Sequence, residues 1–247
     1  MNIVHKVTVI HQEAEPTTPR QRRRQAKIDD ILDTALRIVY KKGLSGLTIQ
    51  SLARELDWAQ GALYRYFSNK DGLLAAMETR VLKTFQEELF GKKATTEITG
   101  NANQRRLQAL GRILTMGKSY MQIAEQKPHA FGLIAMMVAD PHPVLPDSQA
   151  EELISTFRTL LSALAELFEQ AVASDALQPG DNMRRALSYW LAIHGILQMK
   201  KYARFGDELF EPEALFEHTV VSLLTGWGAQ EKTIAKTLKQ SSLNKME

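Results

Sequence analysis

From Ile28 almost to Trp227, apolar residues return every three or four positions, and no segment alternates convincingly at a period of two. That spacing gives a helix one apolar stripe and leaves nothing from which to build a sheet. Ile28, Ile31, Leu32, Ala35, Ile38 and Val39 mark the first helix, which Gly43 and Gly46 should stop. Thr48 is placed to cap a short second helix with Leu52, Ala53 and Leu56 inward. A full capping box is not expected there, because Ser51 stands where Glu or Gln would close it. Leu63, Tyr64 and Phe67 form the next stripe, and Ser68 or Asn69 caps a long helix reaching Leu89. Further helices are expected at roughly 104–126, 129–139, 148–174, 181–205 and 213–229, separated by turn-forming segments such as "DPHPVLPD", "LQPGD" and "GDELFEP". The expectation is an all-α chain of about nine helices. It divides into a tail over 1–19, a three-helix helix-turn-helix domain over 20–70, a larger helical domain over 71–230 and a flexible tail over 231–247.

Hydrophobic residues make up 44% of the 247, enough for a sizeable core. With no cysteine there are no disulfides and no thiolate zinc sites, and a reducing cytoplasm is the expected setting. The longest apolar run, Ala130–Ala139, is far shorter than the roughly 20 residues of a membrane span. Charge is unevenly placed. Eleven Lys or Arg between Arg20 and Lys70 face five acids there, whereas the whole chain carries only +3. A basic first quarter on a slightly acidic body points to a polyanion partner at one end, although a solvated charged surface has the same composition.

Two short helices between a preceding and a following one form a helix-turn-helix layout, whose second short helix would enter a DNA major groove. The stretch "AQGALYRYFSNKDGLL" supplies its side chains. Gln60 can read base edges with its amide. Tyr64, Arg65 and Tyr66 offer hydroxyls and a guanidinium to phosphates, though the Tyr64 ring would also serve as core. Gly61 would let a backbone approach, and Lys70, in a first helical turn, makes sense beside a phosphate.

The segment from about Ile28 to Leu74 resembles the DNA-binding domain of the tetracycline-repressor (TetR) family. The family pattern is met by Thr48, Leu52, Ala53, Gly61, Leu63, Tyr64, Phe67, Lys70, Leu73 and Leu74. It departs at Trp58, where a small aliphatic residue is usual, at Ala59, where a small polar cap is usual, and at Ala62, where Thr is usual. With those two hydroxyls gone, affinity would lean on Tyr66, Arg65 and the arginines at 20 to 24. The candidate DNA-contacting set is therefore Arg23, Arg24, Thr48, Trp58, Ala59, Gln60, Gly61, Ala62, Tyr64, Arg65, Tyr66 and Lys70. The resemblance implies a homodimeric repressor that binds a near-palindromic operator in double-stranded DNA and is released by a small molecule.

For the larger domain two further expectations follow. Leu187, Trp190, Leu191, His194 and Leu197 share one face of a helix; Leu215, Phe216, Val220, Leu223, Leu224 and Trp227 share one of the next. Two such helices from each of two chains would make a four-helix dimer interface. Met116, Tyr120, Phe131, Ile134, Met137, Phe157 and Leu161 recur at helical spacing with few charges among them, which suits an apolar or aromatic effector as well as plain core.

An enzyme is not expected. No nucleophile elbow, Walker loop, zinc-protease helix or dinucleotide fingerprint is present. Asp140 and His142 sit in a Pro-rich loop without a third ligand in range, so neither metal nor cofactor is expected. The competing reading is a helical interaction module that binds acidic partners, protein or membrane, without DNA sequence preference.

Overall fold

The computed structural model describes residues 18–91, 97–140 and 145–243. Ten α-helices and no strand occur among the described residues. The first, α1 (Pro19–Gly46), begins with a reciprocal box in which the Thr18 side chain accepts from Gln21 N–H and the Gln21 side chain accepts from Thr18 N–H. Pro19, expected to close a tail, instead opens this helix, where its missing N–H costs nothing. The rest of the expected tail, residues 1–17, lies outside the described residues, as does His142.

Next come α2 (Ile49–Glu55), α3 (Gln60–Leu63) and α4 (Lys70–Phe90). The capping box at α2 does form: Ser51 N–H donates to Thr48 Oγ1, and Thr48 N–H donates to Ser51 Oγ, each at 2.9 Å. The serine hydroxyl reaches because the cap folds tightly enough to replace the longer Glu or Gln. Asn69 caps α4, accepting from Gly72 N–H at 2.8 Å. Asp57, in the α2–α3 turn, holds a left-handed φ of 57°, a conformation that Asp tolerates better than most residues. Ile31, Leu32, Ala35, Leu52, Ala53, Leu63, Leu73 and Met77 close the core under these helices.

The larger unit consists of α4 together with α5 (Ala102–Gln126), α6 (Pro128–Ala139), α7 (Asp147–Ala173), α8 (Asn182–Met199), α9 (Pro212–Gly226) and α10 (Glu231–Leu243). Two 3₁₀ turns, Lys200–Phe205 and Glu208–Phe210, join α8 to α9. The segment expected as a C-terminal tail is thus helical over Glu231–Leu243 and packs along α5. Its charges conceal a narrow strip: Ile234 and Thr237 are buried, and Thr237 Cγ2 stands 3.6 Å from where a Cβ on Gly111 would lie.

The tightest crossing is at Gly117 on α5. A Cβ there would come within 2.4 Å of Tyr189 Oη and 2.7 Å of Phe216. The Tyr189 hydroxyl is fixed in that place because it donates to the Ile113 carbonyl at 2.8 Å in a buried setting. Gly117→Ala should therefore destabilise the chain by roughly 1–3 kcal/mol. Gly111→Ala meets only ordinary contact and should stabilise it by up to about 1 kcal/mol through helix propensity. Thermal unfolding of the two variants checks this; equal melting temperatures would show that α5 can move away from α8.

Candidate nucleic-acid interface and interior site

Every strongly apolar residue of the 59–74 stretch turns inward, and what remains outside is polar or small. Ala59, Gln60, Gly61 and Arg65 are exposed, and Tyr64 is 54% exposed, so its ring is not core. Leu63 and Leu73 anchor the segment from beneath. Gly61 has no internal reason to be glycine: a Cβ there would meet no atom within 4 Å, and its φ is ordinary. Nothing in the chain offsets its helix penalty of roughly 1 kcal/mol.

Beside α3 the basic arm is held on an aromatic platform. The rings of Trp58 and Tyr66 lie 6.0 Å apart, both half-buried. Lys27 Nζ stands 5.6 Å over Trp58, and the Arg24 guanidinium stands 5.5 Å over Tyr66. Lys27, Trp58 and Tyr66 line a cleft of about 280 Å³ together with Ala59, Ala62 and Arg65. Trp58, a departure from the family pattern, is therefore a support for cations. Lys27 was missing from the expected set; the signal was the pairing of a second aromatic residue with a basic helix, but its register against α1 needed the fold. Arg23 is exposed on the same arm.

Two expected contacts are committed elsewhere. The Thr48 hydroxyl caps α2. Lys70, expected to await a phosphate, is half-buried, and its ammonium donates to the Leu44 carbonyl at 2.9 Å. A lysine at a helix start finds a negative end after all, that of the neighbouring helix α1.

The expected dimer faces divide. Trp190, His194 and Leu197 on α8, and Phe216, Val220 and Leu224 on α9, are buried within the chain. Leu215, Leu223 and Trp227 are half-buried, Trp227 packing edge-on to Phe168 at 5.3 Å. Only Leu187 and Leu191, 38% and 45% exposed, look outward, in line with Met183 and Gly195. Because α8 is apolar on two sides, periodicity alone combined a core face with an outer one.

The expected ligand set also divides. Met116 turns to a cleft of about 560 Å³ between α4, α5 and α7. Ile134 and Leu161 are buried, Met137 is half-buried, and Phe157 packs edge-on to Trp190 at 4.9 Å. Tyr120 and Phe131 converge on His194. The Tyr120 hydroxyl is 2.9 Å from His194 Nδ1, and the Phe131 ring is 5.0 Å from the imidazole. Trp190 stacks on the same imidazole at 5.0 Å. A phenol that accepted from Nδ1–H would leave its own buried proton without a partner, so the Tyr120 O–H points at Nδ1 and His194 keeps its proton on Nε2. Sequence reasoning set His194 in the dimer face and missed Glu78, a buried carboxyl on α4.

Sequence profiles match two stretches of the chain. Residues 31–77 match the profile described as bacterial regulatory proteins, tetR family, and residues 113–223 match the tetracyclin repressor-like C-terminal domain. A BetI regulator of Burkholderia thailandensis is 35% identical over 65 residues, 26% of this chain and 33% of that protein. An uncharacterised HTH-type regulator of Haemophilus influenzae is 39% identical over 69 residues, 27% of this chain and 37% of its own length. The chain thus spans only about a quarter to two-fifths of such relatives. In fold it is similar to a TetR-family regulator from Agrobacterium tumefaciens, with TM-score 0.62, 18% identity and coverage of 83% and 99%. It is likewise similar to AibR in complex with isovaleryl coenzyme A and operator DNA, with TM-score 0.61, 19% identity and coverage of 80% and 98%.

Burial raises the pKa of Glu78 from 4.5 to about 7 and lowers that of His194 from 6.5 to about 4. Unfolding returns each to its ordinary value. From about pH 4.5 to 6.5 the folded chain keeps a proton more at Glu78 and one fewer at His194, so their slopes of stability oppose each other. Relative to the parent, Glu78→Gln should gain stability as pH rises through 7. His194→Phe should gain it as pH falls through 4. Each change is on the order of 3 kcal/mol over its full range. Urea melts across this range check both signs; parallel profiles in all three proteins would show that neither group titrates in the interior. The helix-turn-helix, the all-α fold and the two profiles settle the classification: the chain belongs to the TetR family of bacterial regulatory proteins.

Proposed function

We propose that the chain acts as a cytoplasmic homodimeric repressor that binds a near-palindromic operator through α3 and the arm of α1, and leaves it when a small molecule enters the α4–α8 interior. The observation that carries this reading is the outer edge of α3. Gln60 and Gly61 are exposed and unused by the chain itself, beside cations held ready on Trp58 and Tyr66. Such a surface suits a groove edge with phosphates on its wall. AibR, named above, supports it, having been seen in complex with operator DNA. Among the described residues no helix is long and apolar enough to cross a membrane.

The dimer would form on the outward stripe of α8, Met183, Leu187, Leu191 and Gly195, with the outer face of α9 beside it. A two-fold axis there would set the two α3 helices about 34–36 Å apart, one turn of DNA, or a little more. Release needs a connection between interior and arm, and α6 and α4 supply it. Phe131 touches His194 inside, while His129 packs edge-on to Tyr40 of α1 at 4.5 Å. Arg80 of α4 donates to the Asp29 carbonyl at 3.1 Å and to Asp33 Oδ1 at 2.5 Å. A ligand that fits only one arrangement of α4 and α6 shifts the population toward it, to the extent of its differential affinity.

Recovery of genomic fragments on the purified protein identifies the operator, on which variants can then be compared. Gln60→Ala should relax preference at particular base pairs, at a cost on the order of 1–3 kcal/mol. Gly61→Ala should raise thermal stability by up to about 1 kcal/mol while weakening operator binding. Neutralising Arg23 and Arg24 should weaken binding to all DNA and flatten its salt dependence. Equal losses on operator and random DNA for Gln60→Ala would favour the module for acidic partners instead.

A further inference from the structure

Two polar groups buried in the α4–α8 interior have nothing to bind among the described residues. Both carboxyl oxygens of Glu78, in a residue 2% exposed, lack a hydrogen-bond partner, and so does Nε2 of His194, 1% exposed. Native interiors rarely leave such groups unsatisfied, so each calls for an explanation. Their characters are opposite. The Tyr120–His194 hydrogen bond sets Nε2 as an N–H donor, whereas Glu78 supplies an acceptor pair.

A path of contacts links them. Helices α4 and α5 run antiparallel: Phe85 meets Tyr120 at 5.5 Å, and Val81 and Thr84 share a cleft with Gln126–Ala130. Glu78 precedes Phe85 by two turns on the same stripe, roughly 10 Å along the axis. Phe85 in turn packs on Tyr120, whose hydroxyl meets His194.

We propose that the effector is an amphipathic amine, whose ammonium pairs with Glu78 and whose neutral acceptor atom takes the His194 Nε2–H. This deepens the effector-site reading above and rests on it. An ammonium supplies both the donors and the positive charge that the carboxylate lacks. The shift at Glu78 has burial as its cause, with no cation of the chain opposing it. A carboxylate ligand would meet a like charge in a dry interior, and a plain hydrocarbon would leave both groups unpaired.

The test uses the full-length chain and three matched probes: 4-phenoxybutylamine, 4-phenoxybutanol and 4-phenoxybutanoate. They share a ring and an ether acceptor and differ only in the terminal charge. Calorimetry at pH 8 should show the amine binding at least about tenfold more tightly than the alcohol, and the carboxylate not at all. Glu78→Gln should bring amine and alcohol to within about twofold, whereas His194→Phe should weaken both alike. An alcohol or carboxylate that binds as tightly as the amine overturns the amine assignment, and so does an amine preference that survives Glu78→Gln. In those cases binding that still depends on His194 keeps the effector site itself. If none of the three binds at millimolar concentration to the parent or either variant, the site and the assignment fall together.

Discussion

The Lys70 ammonium donates to the Leu44 carbonyl at the end of α1, and Arg80, three turns further along α4, donates to Asp29 and Asp33 in its middle. Helix α4 is thereby bound at two points to the unit that carries α3, while Glu78, Val81, Leu82 and Phe85 are buried where it packs on α5, α6 and α7. A rigid helix that belongs to two units cannot tilt in one without moving the other. The guanidinium is well suited to such a fixing, because its rigid fork engages a backbone carbonyl and a side-chain carboxylate together. Neither bond makes the fold stable by itself; surface pairs of this kind contribute little. Their effect is geometric, setting where α3 stands relative to the interior.

The fold class and the helix-turn-helix were legible in the sequence because both are local. Spacing of apolar residues sets the helices, and the turn residues set their ends. What failed to show was which of two apolar faces meets which neighbour. On α8, Leu187 and Trp190 are three residues apart and look equivalent in a list, yet one is exposed and the other stacked on an imidazole. Lys70 was misread for the same reason, since its partner, Leu44, is 26 residues away. Glu78 escaped notice because one acid in a helix otherwise rich in charge carries no mark of burial. In the last helix, Ile234 and Thr237 were too few to stand out among lysines, and it took Gly111 on α5 to give them a seat.

The interior and the outer surface of α3 follow opposite rules. At α3 a glycine and exposed polar groups weaken the free chain and leave room for something outside it. In the interior an unpaired carboxyl and an unpaired imidazole N–H do the same from within. Both features cost stability, and both disappear when a partner of the right chemistry arrives. Local departures from the best-folding sequence thus collect at the two places a regulator must keep open.

The chain has three tryptophans, and the fold puts each in a different neighbourhood. Trp58 lies under Lys27 at the edge of α3, Trp190 is sandwiched near His194 and Phe157, and Trp227 sits between Phe168 and the Arg185 guanidinium. Indole emission responds to nearby charge, stacking and water. Each tryptophan is therefore an intrinsic optical probe of one location, and chains retaining one indole at a time would let the arm, the interior and the end of α9 be followed separately in real time, with no dye attached.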